Sequence, residues 1–386
     1  IQERVHAMLG NVLRRTPPIA WIETDHGRAL YPFQLNIGGL EEETRNKCII
    51  DYAKSYYQNE GKEKAPNYKQ FLQETFFFFL CEIFYYPYNE KMYKYPLEKL
   101  SVHELTWNLH RPSFADILQG GFSPNVLRET YNTNAFYPCP PKDAPLRGME
   151  ILAEGLAKNV QNLRLNTTIK SVHHESRTVK TINKDGIEDT YSWTHSCLST
   201  LPLPALVRLC EGAPESLIKQ IDELEFTKVF SVAISIEGPR PVKPGHWVYY
   251  TNPELPYTRL IYMHEFDEHC APEEGWALLA EVTWPGRQKD PDHDELVADI
   301  LKGLHKTGVL NDEQKVINTH VWIANPAYVI FTFDTQRIIN NCMEYLAKYN
   351  IYSHGRYGKW QYSSMFQNIK EGFDWAKSIT ATIETV

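Results

Sequence analysis

With 386 residues the chain has room for two or three domains, and 42% apolar against 23% charged residues matches folded globular proteins rather than disordered ones. Its 40 Lys+Arg and 48 Asp+Glu leave a net charge of −8, and no basic run forms a stripe that could track phosphates, which argues against nucleic acid as a partner. Seven cysteines (Cys48, Cys81, Cys139, Cys197, Cys210, Cys270, Cys342), odd in number and without a CxxC pair, fit a reducing, cytoplasmic setting.

The start, Ile1-Gln2-Glu3-Arg4-Val5, has neither an initiator Met nor a signal peptide's apolar core and reads as joining a fold in mid-domain. Val5, Met8, Leu9 and Val12 recur at helical spacing, which predicts an amphipathic helix over 1–14. Ile19 to Glu23 and Arg28 to Tyr31 flank the turn residues Thr24-Asp25-His26-Gly27 and predict a β-hairpin. Helices are expected over 41–58 and 68–84. The greasiest run, Thr75 to Tyr88, is broken by Glu82 and falls short of the roughly 20 apolar residues that cross a bilayer, so it reads as a buried helix and no membrane span is expected. Pro87 is expected to stop that helix and leave the polar side chains of Tyr86 to Lys91 as candidates for a pocket wall.

After a proline-rich joint at 137–145, the pattern over 148–160 is helical. Leu163 to Arg164, Thr168 to His173 and Thr178 to Asn183 read as short strands, with a turn at Asn183-Lys184-Asp185-Gly186. Cys197 to Pro204 reads as a strand ending in a tight bend before a helix. Val229 to Ile236, Trp247 to Tyr250, Thr258 to Met263 and Ala277 to Thr283 alternate like strands of an antiparallel sheet, followed by a helix over 294–305. Near the end, Gly355 to Met365 packs two glycines, Arg356 and several aromatics in front of a helix over 366–379. Such a turn suits an anion at a helix N-terminus.

None of the 20 glycines has another glycine two positions later, so the chain contains no GxGxxG dinucleotide fingerprint. No metal site is expected. His264 and His269 are five residues apart, about 140° around a helix, unlike the four-residue spacing of HExxH. His173-His174 on a strand would face opposite ways, one buried and one exposed. What remains is a dispersed set of amides, tyrosines and arginines: Gln34, Asn36, Asn89, Tyr249, Arg259, Tyr328, Arg356 and Tyr362. Arginine grips a diphosphate with two parallel bonds, tyrosine donates to the remaining oxygens, and amides read sugar or base edges, so the set suits an extended polar anion.

Taken in order, Tyr31 to Asn36 (YPFQxN), Pro87 to Lys91 (PYNxK), Trp247 to Tyr250 with Pro256 to Arg259, Ala327-Tyr328, and Gly355 to Tyr362 (GRxGxWxY) resemble the UDP-galactopyranose mutase branch of the flavin-containing amine oxidoreductase superfamily. That resemblance implies an α/β and α+β architecture. An incomplete FAD-binding Rossmann-like domain would take 1–40, 140–225 and 345–386, a helical substrate-side region 41–139, and a mixed-sheet substrate domain 226–344. It implies FAD as cofactor, with Gly148, Met149, Ile169, Val172, Thr200, Gly355, Arg356, Gly358 and Met365 as its neighbours. Gln34, Asn36, Asn89, Tyr249, Arg259, Tyr328 and Tyr362 would hold a nucleotide-sugar substrate. The hard chemistry then falls to flavin N5, so no side chain is expected to be catalytic. The chain departs from the family pattern at Arg147, Val329 and Ser363, which keeps open an amine-oxidase-like oxidoreductase, and it lacks the family's N-terminal GxGxxG unit, which keeps open a non-catalytic remnant or nucleotide-sugar-binding module that has lost its flavin half.

Overall fold

The computed structural model describes residues 2–56, 65–102, 105, 109, 111–123, 126–127, 133–242 and 244–384. Residues 57 and 58 of the first expected helix lie outside that set. Contacts group the chain into two compact units. One combines Ile1–Ala7, Leu156–Phe226 and Tyr328–Val386, and the other Met8–Gly155 and Thr227–Ala327.

The larger unit is built on a seven-stranded mixed sheet in the order Lys315–Ile330, Glu225–Glu237, Gly275–Pro285, Arg259–Tyr262, Trp247–Tyr250, Ala20–Thr24, Gly27–Leu30. The expected hairpin forms as Ala20–Thr24 against Gly27–Leu30 and joins this sheet by running parallel to Trp247–Tyr250. Glu225–Glu237, Gly275–Pro285, Arg259–Tyr262 and Trp247–Tyr250 pair antiparallel, as their alternation predicts. Phe230, Val232, Ile234, Leu260, Trp276 and Leu278 share one buried face. The helix His293–Lys306 covers it with Leu296, Ile300 and Leu304, and Asp292 caps that helix by accepting from the amides of Asp294 and Glu295. Each fully buried aliphatic or aromatic side chain there contributes about 1.5–3 kcal/mol.

The helical part of this unit differs from expectation in an instructive way. The helix Tyr68–Leu80 is interrupted at Phe77, whose φ of 65° is a costly conformation for a bulky residue. The amide of Phe79, freed by the break, donates to Asp51 at 3.0 Å. After a widened turn over Cys81–Tyr85 a new helix runs Tyr86–Tyr93. Pro87 therefore starts a helix rather than stopping one, because a proline in the first turn sacrifices no hydrogen bond. Asn89 and Lys91 lie on that helix and not in a loop. The N-terminal helix is also shorter than its periodicity suggests: it runs Gln2–Leu9, Gly10 follows at φ 68°, and Leu13–Arg15 pairs with Phe136–Pro138.

The smaller unit holds two sheets. Thr167–His173, Thr178–Asn183 and Glu188–Ser192 form an antiparallel meander, while Cys197–Ser199 runs parallel to Ile351–Ser353. The strand expected at Leu163 to Arg164 is absent among the described residues; Leu163 and Leu165 are exposed and lie outside the sheet ladders. Of the two histidines, His174 is buried and His173 pairs with Glu211 at 2.9 Å. No helix among the described residues is long and apolar enough to cross a membrane.

Two packing details yield predictions. The helix Phe114–Phe122 lies so close to the segment carrying Gln34 that a Cβ on Gly120 would sit 2.4 Å from the Leu35 carbonyl oxygen. Gly120→Ala is expected to cost about 1–3 kcal/mol, read as a lower urea midpoint. His246 is buried and its Nδ1 accepts the amide of Ile19 at 2.9 Å, so the ring must be neutral; burial pulls its pKa down to about 4. The unfolded chain therefore binds the extra proton between pH 6.5 and 4, and stability contributed above pH 6.5 is lost as pH falls through that window, by at most about 3 kcal/mol. His246→Gln should flatten this part of the pH dependence of urea unfolding.

Candidate functional site

In the smaller unit, the parallel strands Cys197–Ser199 and Ile351–Ser353 end side by side, and the chain leaves their carboxyl ends through Thr200 and the short helix Gly355–Gly358. Carboxyl ends of parallel strands are where open α/β sheets bind ligands. Gly355 has φ 79°, and a Cβ built there would meet only Thr200 Cγ2, at 4.0 Å. Gly358 is tighter: a Cβ would lie 3.0 Å from Ser353 Oγ, which donates to the Gly358 carbonyl at 2.8 Å. The turn is thus pressed onto the sheet by a glycine that nothing larger could replace without movement.

The Arg356 guanidinium lies 5.5 Å from the ring centres of Tyr328 and Tyr362 and 5.9 Å from that of Tyr357, and it donates to the Ser363 carbonyl at 3.3 Å. Three π-faces hold a planar cation in orientation, each contributing about 0.5–1 kcal/mol or more when desolvated. Tyr362 donates its hydroxyl to the Val329 carbonyl at 2.6 Å, which fixes its ring and leaves its oxygen as an acceptor. Arg356, Tyr328 and Tyr362, read from the sequence as separate neighbours of cofactor and substrate, form one cluster.

The expected anion cradle is already filled by the chain itself. The Gly355 amide donates to Glu371 at 3.0 Å, and Glu371 also pairs with Lys359 and lies 3.6 Å from His354. Burial, with Lys359 nearby, holds the His354 ring below its usual range. The long helix Met365–Glu384 is capped internally too: Ser364 Oγ accepts the Gln367 amide at 3.2 Å while the Gln367 side chain accepts the Ser364 amide at 2.7 Å, a capping box.

In the larger unit a second set assembles. Gln34 is 9% exposed and its Oε1 accepts the Tyr85 hydroxyl at 2.9 Å. Asn89, also buried, donates to the Tyr85 carbonyl at 2.6 Å and accepts the Tyr68 hydroxyl at 3.2 Å. Burial holds both tyrosine hydroxyls protonated, with their pKa raised well above the usual value. Tyr88 stands edge-on to Tyr249, ring centres 5.3 Å apart, and Arg259 lies 5.7 Å from the Tyr249 ring. Arg259 Nε and Nη2 both bond Glu281, at 2.7 and 2.6 Å. Tyr85 therefore links Gln34 to Asn89, and Tyr249 links Arg259 to Tyr88.

The other expected residues are placed differently. Asn36 is wholly buried and turns its amide to the Pro32 carbonyl at 3.3 Å. Val172 is buried in the meander, its carbonyl taken by the Glu211 amide, and Ile169 precedes it on the same strand at a register shift. Gly148, φ 70°, and Met149 belong to the larger unit, just ahead of the helix Glu150–Ala157. Met365 opens its helix and is 56% exposed. Arg147, a departure from the family pattern, pairs with Asp267 at 2.8 Å and donates to the carbonyls of Pro140, Pro141 and Lys142, closing the proline-rich joint. Among the described residues no three His, Cys, Asp or Glu side chains gather as a metal site.

Glu281, Glu371 and Tyr85 escaped the sequence reading. Glu281 was detectable as a lone acid in an otherwise apolar strand, whereas Glu371 and Tyr85 gain meaning only from partners distant in sequence.

The fold is shared with a crystal structure of reduced UDP-galactopyranose mutase, at TM-score 0.81 and 19% identity over 94% of this chain and 76% of that one. A proposed protoporphyrinogen oxidase from Exiguobacterium sp. 255-15 matches at TM-score 0.64 and 17% identity, covering 92% of this chain and 79% of the other. A CLA-producing fatty acid isomerase from P. acnes matches at TM-score 0.57 and 10% identity, covering 98% and 83%. The sequence pattern described as flavin containing amine oxidoreductase matches residues 97–348, and the chain belongs to that family.

Proposed function

We propose that this chain serves a flavin-dependent enzyme acting on a nucleotide sugar, in the manner of a UDP-galactopyranose mutase, with FAD as cofactor. The observation that carries it is the Arg356 cation held among Tyr328, Tyr357 and Tyr362 beside the Gly355–Gly358 turn. The turn fits a flat ring system, because Gly355 presents no side chain and its surroundings are open. It fits a phosphate less well, since Glu371 already takes the Gly355 amide. Gly355, Gly358, Thr200 and Arg356 would hold the flavin ring. When bound and reduced, flavin supplies a nucleophile at N5 that side chains lack.

The protein's own contribution is position and charge. Tyr68 and Tyr85 lock the amides of Asn89 and Gln34 for a sugar and a base. Arg259, set against the Tyr249 ring with its plane fixed by Glu281, supplies the positive charge that a diphosphate calls for.

A second reading, an amine-oxidase-like oxidoreductase, draws support from the same Glu281, whose charge opposes a diphosphate beside Arg259. The two separate in one experiment. UDP at 100 Kd should stabilise the protein by about 2.7 kcal/mol in thermal unfolding. Arg259→Ala should weaken UDP by about 1.5–3 kcal/mol, roughly 10- to 100-fold. No stabilisation by UDP, with flavin reduction by an amine, would establish the second reading instead; neither response would leave the non-catalytic module.

A further inference from the structure

Lys91 is 6% exposed on the Tyr86–Tyr93 helix. Its Nζ donates to the backbone carbonyls of Asn252 at 2.8 Å and Tyr250 at 3.3 Å, and among the described residues no carboxylate lies within ion-pair distance of it. A buried ammonium met only by neutral acceptors is costly, and an apolar side chain of similar volume would fill the site more cheaply. The two carbonyls sit where the chain leaves the strand Trp247–Tyr250, beyond the last rung that Tyr249 makes with Arg259. The Asn252 carbonyl also accepts the Leu255 amide at 3.3 Å, so the shorter bond from Lys91 does not merely fill a vacancy but ties the corner to the helix.

We propose that Lys91 is a positioning residue that pins the Tyr250–Asn252 corner to the Tyr86–Tyr93 helix and so sets Tyr88, Asn89 and Tyr249 as one wall. Asn89 lies two residues before Lys91 on the helix, Tyr249 directly precedes the pinned corner, and Tyr88 bridges to Tyr249 by the edge-on contact. That this wall faces a nucleotide sugar rests on the function proposed above; the pin itself does not.

The charges around the pin set its response to pH. Lys94, the left-handed residue that ends the same helix, opposes the ammonium, and Asp25, in the hairpin turn and held by the Asn252 side chain at 2.8 Å, favours it. On the neighbouring strands Glu23 is engaged with Arg28 and Glu281 with Arg259; Glu82, Glu98 and Lys99 on the flanking turns are exposed. Burial outweighs these and brings the amine from 10.5 down to about 7. Unfolded, Lys91 keeps its proton to about 10.5, so between pH 7 and 10.5 the unfolded chain binds more protons and the cost of burying this group shrinks as pH rises. Over the same rise the two hydrogen bonds change from charge-assisted to neutral and weaken. The pin thus loosens locally while its global penalty falls, a pairing that a merely space-filling lysine would not show.

Hydrogen exchange of the full chain without ligand, corrected for intrinsic rates, tests this. From pH 6 to pH 8, protection of 86–93 and 250–255 should fall about tenfold, the difference between a charged and a neutral hydrogen bond, without loss of global stability. Lys91→Met should hold both segments at the weaker level at either pH, and Lys91→Arg, charged throughout, should keep the stronger level at pH 8. Unchanged wild-type protection between pH 6 and 8, or Lys91→Met at full protection, would overturn the proposal. If Lys91→Met fails to fold, the wild-type comparison still decides. A failure of UDP to bind would sink the functional reading and leave this result standing.

Discussion

Along Trp247–Tyr250 and Arg259–Tyr262 the pleat sends successive side chains to opposite faces, and much of the larger unit follows from that alternation. Val248, Tyr250, Leu260 and Tyr262 enter the core with Trp276 and Ile300, while Tyr249 and Arg259 stand opposite each other on the other face. A slip of one residue would drive the Arg259 guanidinium into that core and expose Leu260. The core and the Tyr249–Arg259 pair therefore share one register. Neither could drift without the other, and the hairpin Ala20–Leu30, laid parallel against Trp247–Tyr250, inherits the same register.

Four of the polar residues buried near this frame are tied into one side-chain network. Tyr85 donates to Gln34 and lends its carbonyl to Asn89, which accepts from Tyr68. Such a chain fixes the Asn89 amide, because turning it would set its oxygen against the Tyr85 carbonyl, acceptor facing acceptor. Aromatic packing holds the network from behind: Tyr85 stacks on Phe76 at 3.8 Å and Phe84 lies 4.7 Å from Phe33. Rigidity here comes from ordinary core chemistry, and what it positions is polar.

The elements with a clear period were legible in the sequence: the hairpin, the alternating strands of the large sheet, and the helix ending at Lys306. Local rules failed where two outcomes were locally allowed. Pro87 can stop a helix or begin one, and the break at Phe77 decided the matter by ending the previous helix early. Leu163 and Arg164 had strand-like residues and lie outside the sheet ladders. The cluster of Arg356, Tyr328 and Tyr362 was legible as residue types and order, but not as one cage, because Tyr328 is brought to Arg356 by the fold alone. Acids were the main blind spot. A glutamate's sign is evident in sequence, while the cation it serves, Arg259 for Glu281 or Lys359 for Glu371, is fixed only by packing.

Glu371 changes the meaning of the glycine turn at Gly355. From sequence, the turn offers backbone amides at a helix start, a common way to hold an anion. In the fold, the Gly355 amide is spent on a carboxylate that also binds Lys359, and the next helix closes its own first turn through Ser364 and Gln367. Any anion arriving there would have to displace a charge that the chain supplies for itself. The two glycines then serve shape more than charge, Gly358 letting the turn press against Ser353 and Gly355 leaving the space beside Thr200 open. Charge is delegated to Arg356, whose place among three tyrosine rings is set before any ligand arrives.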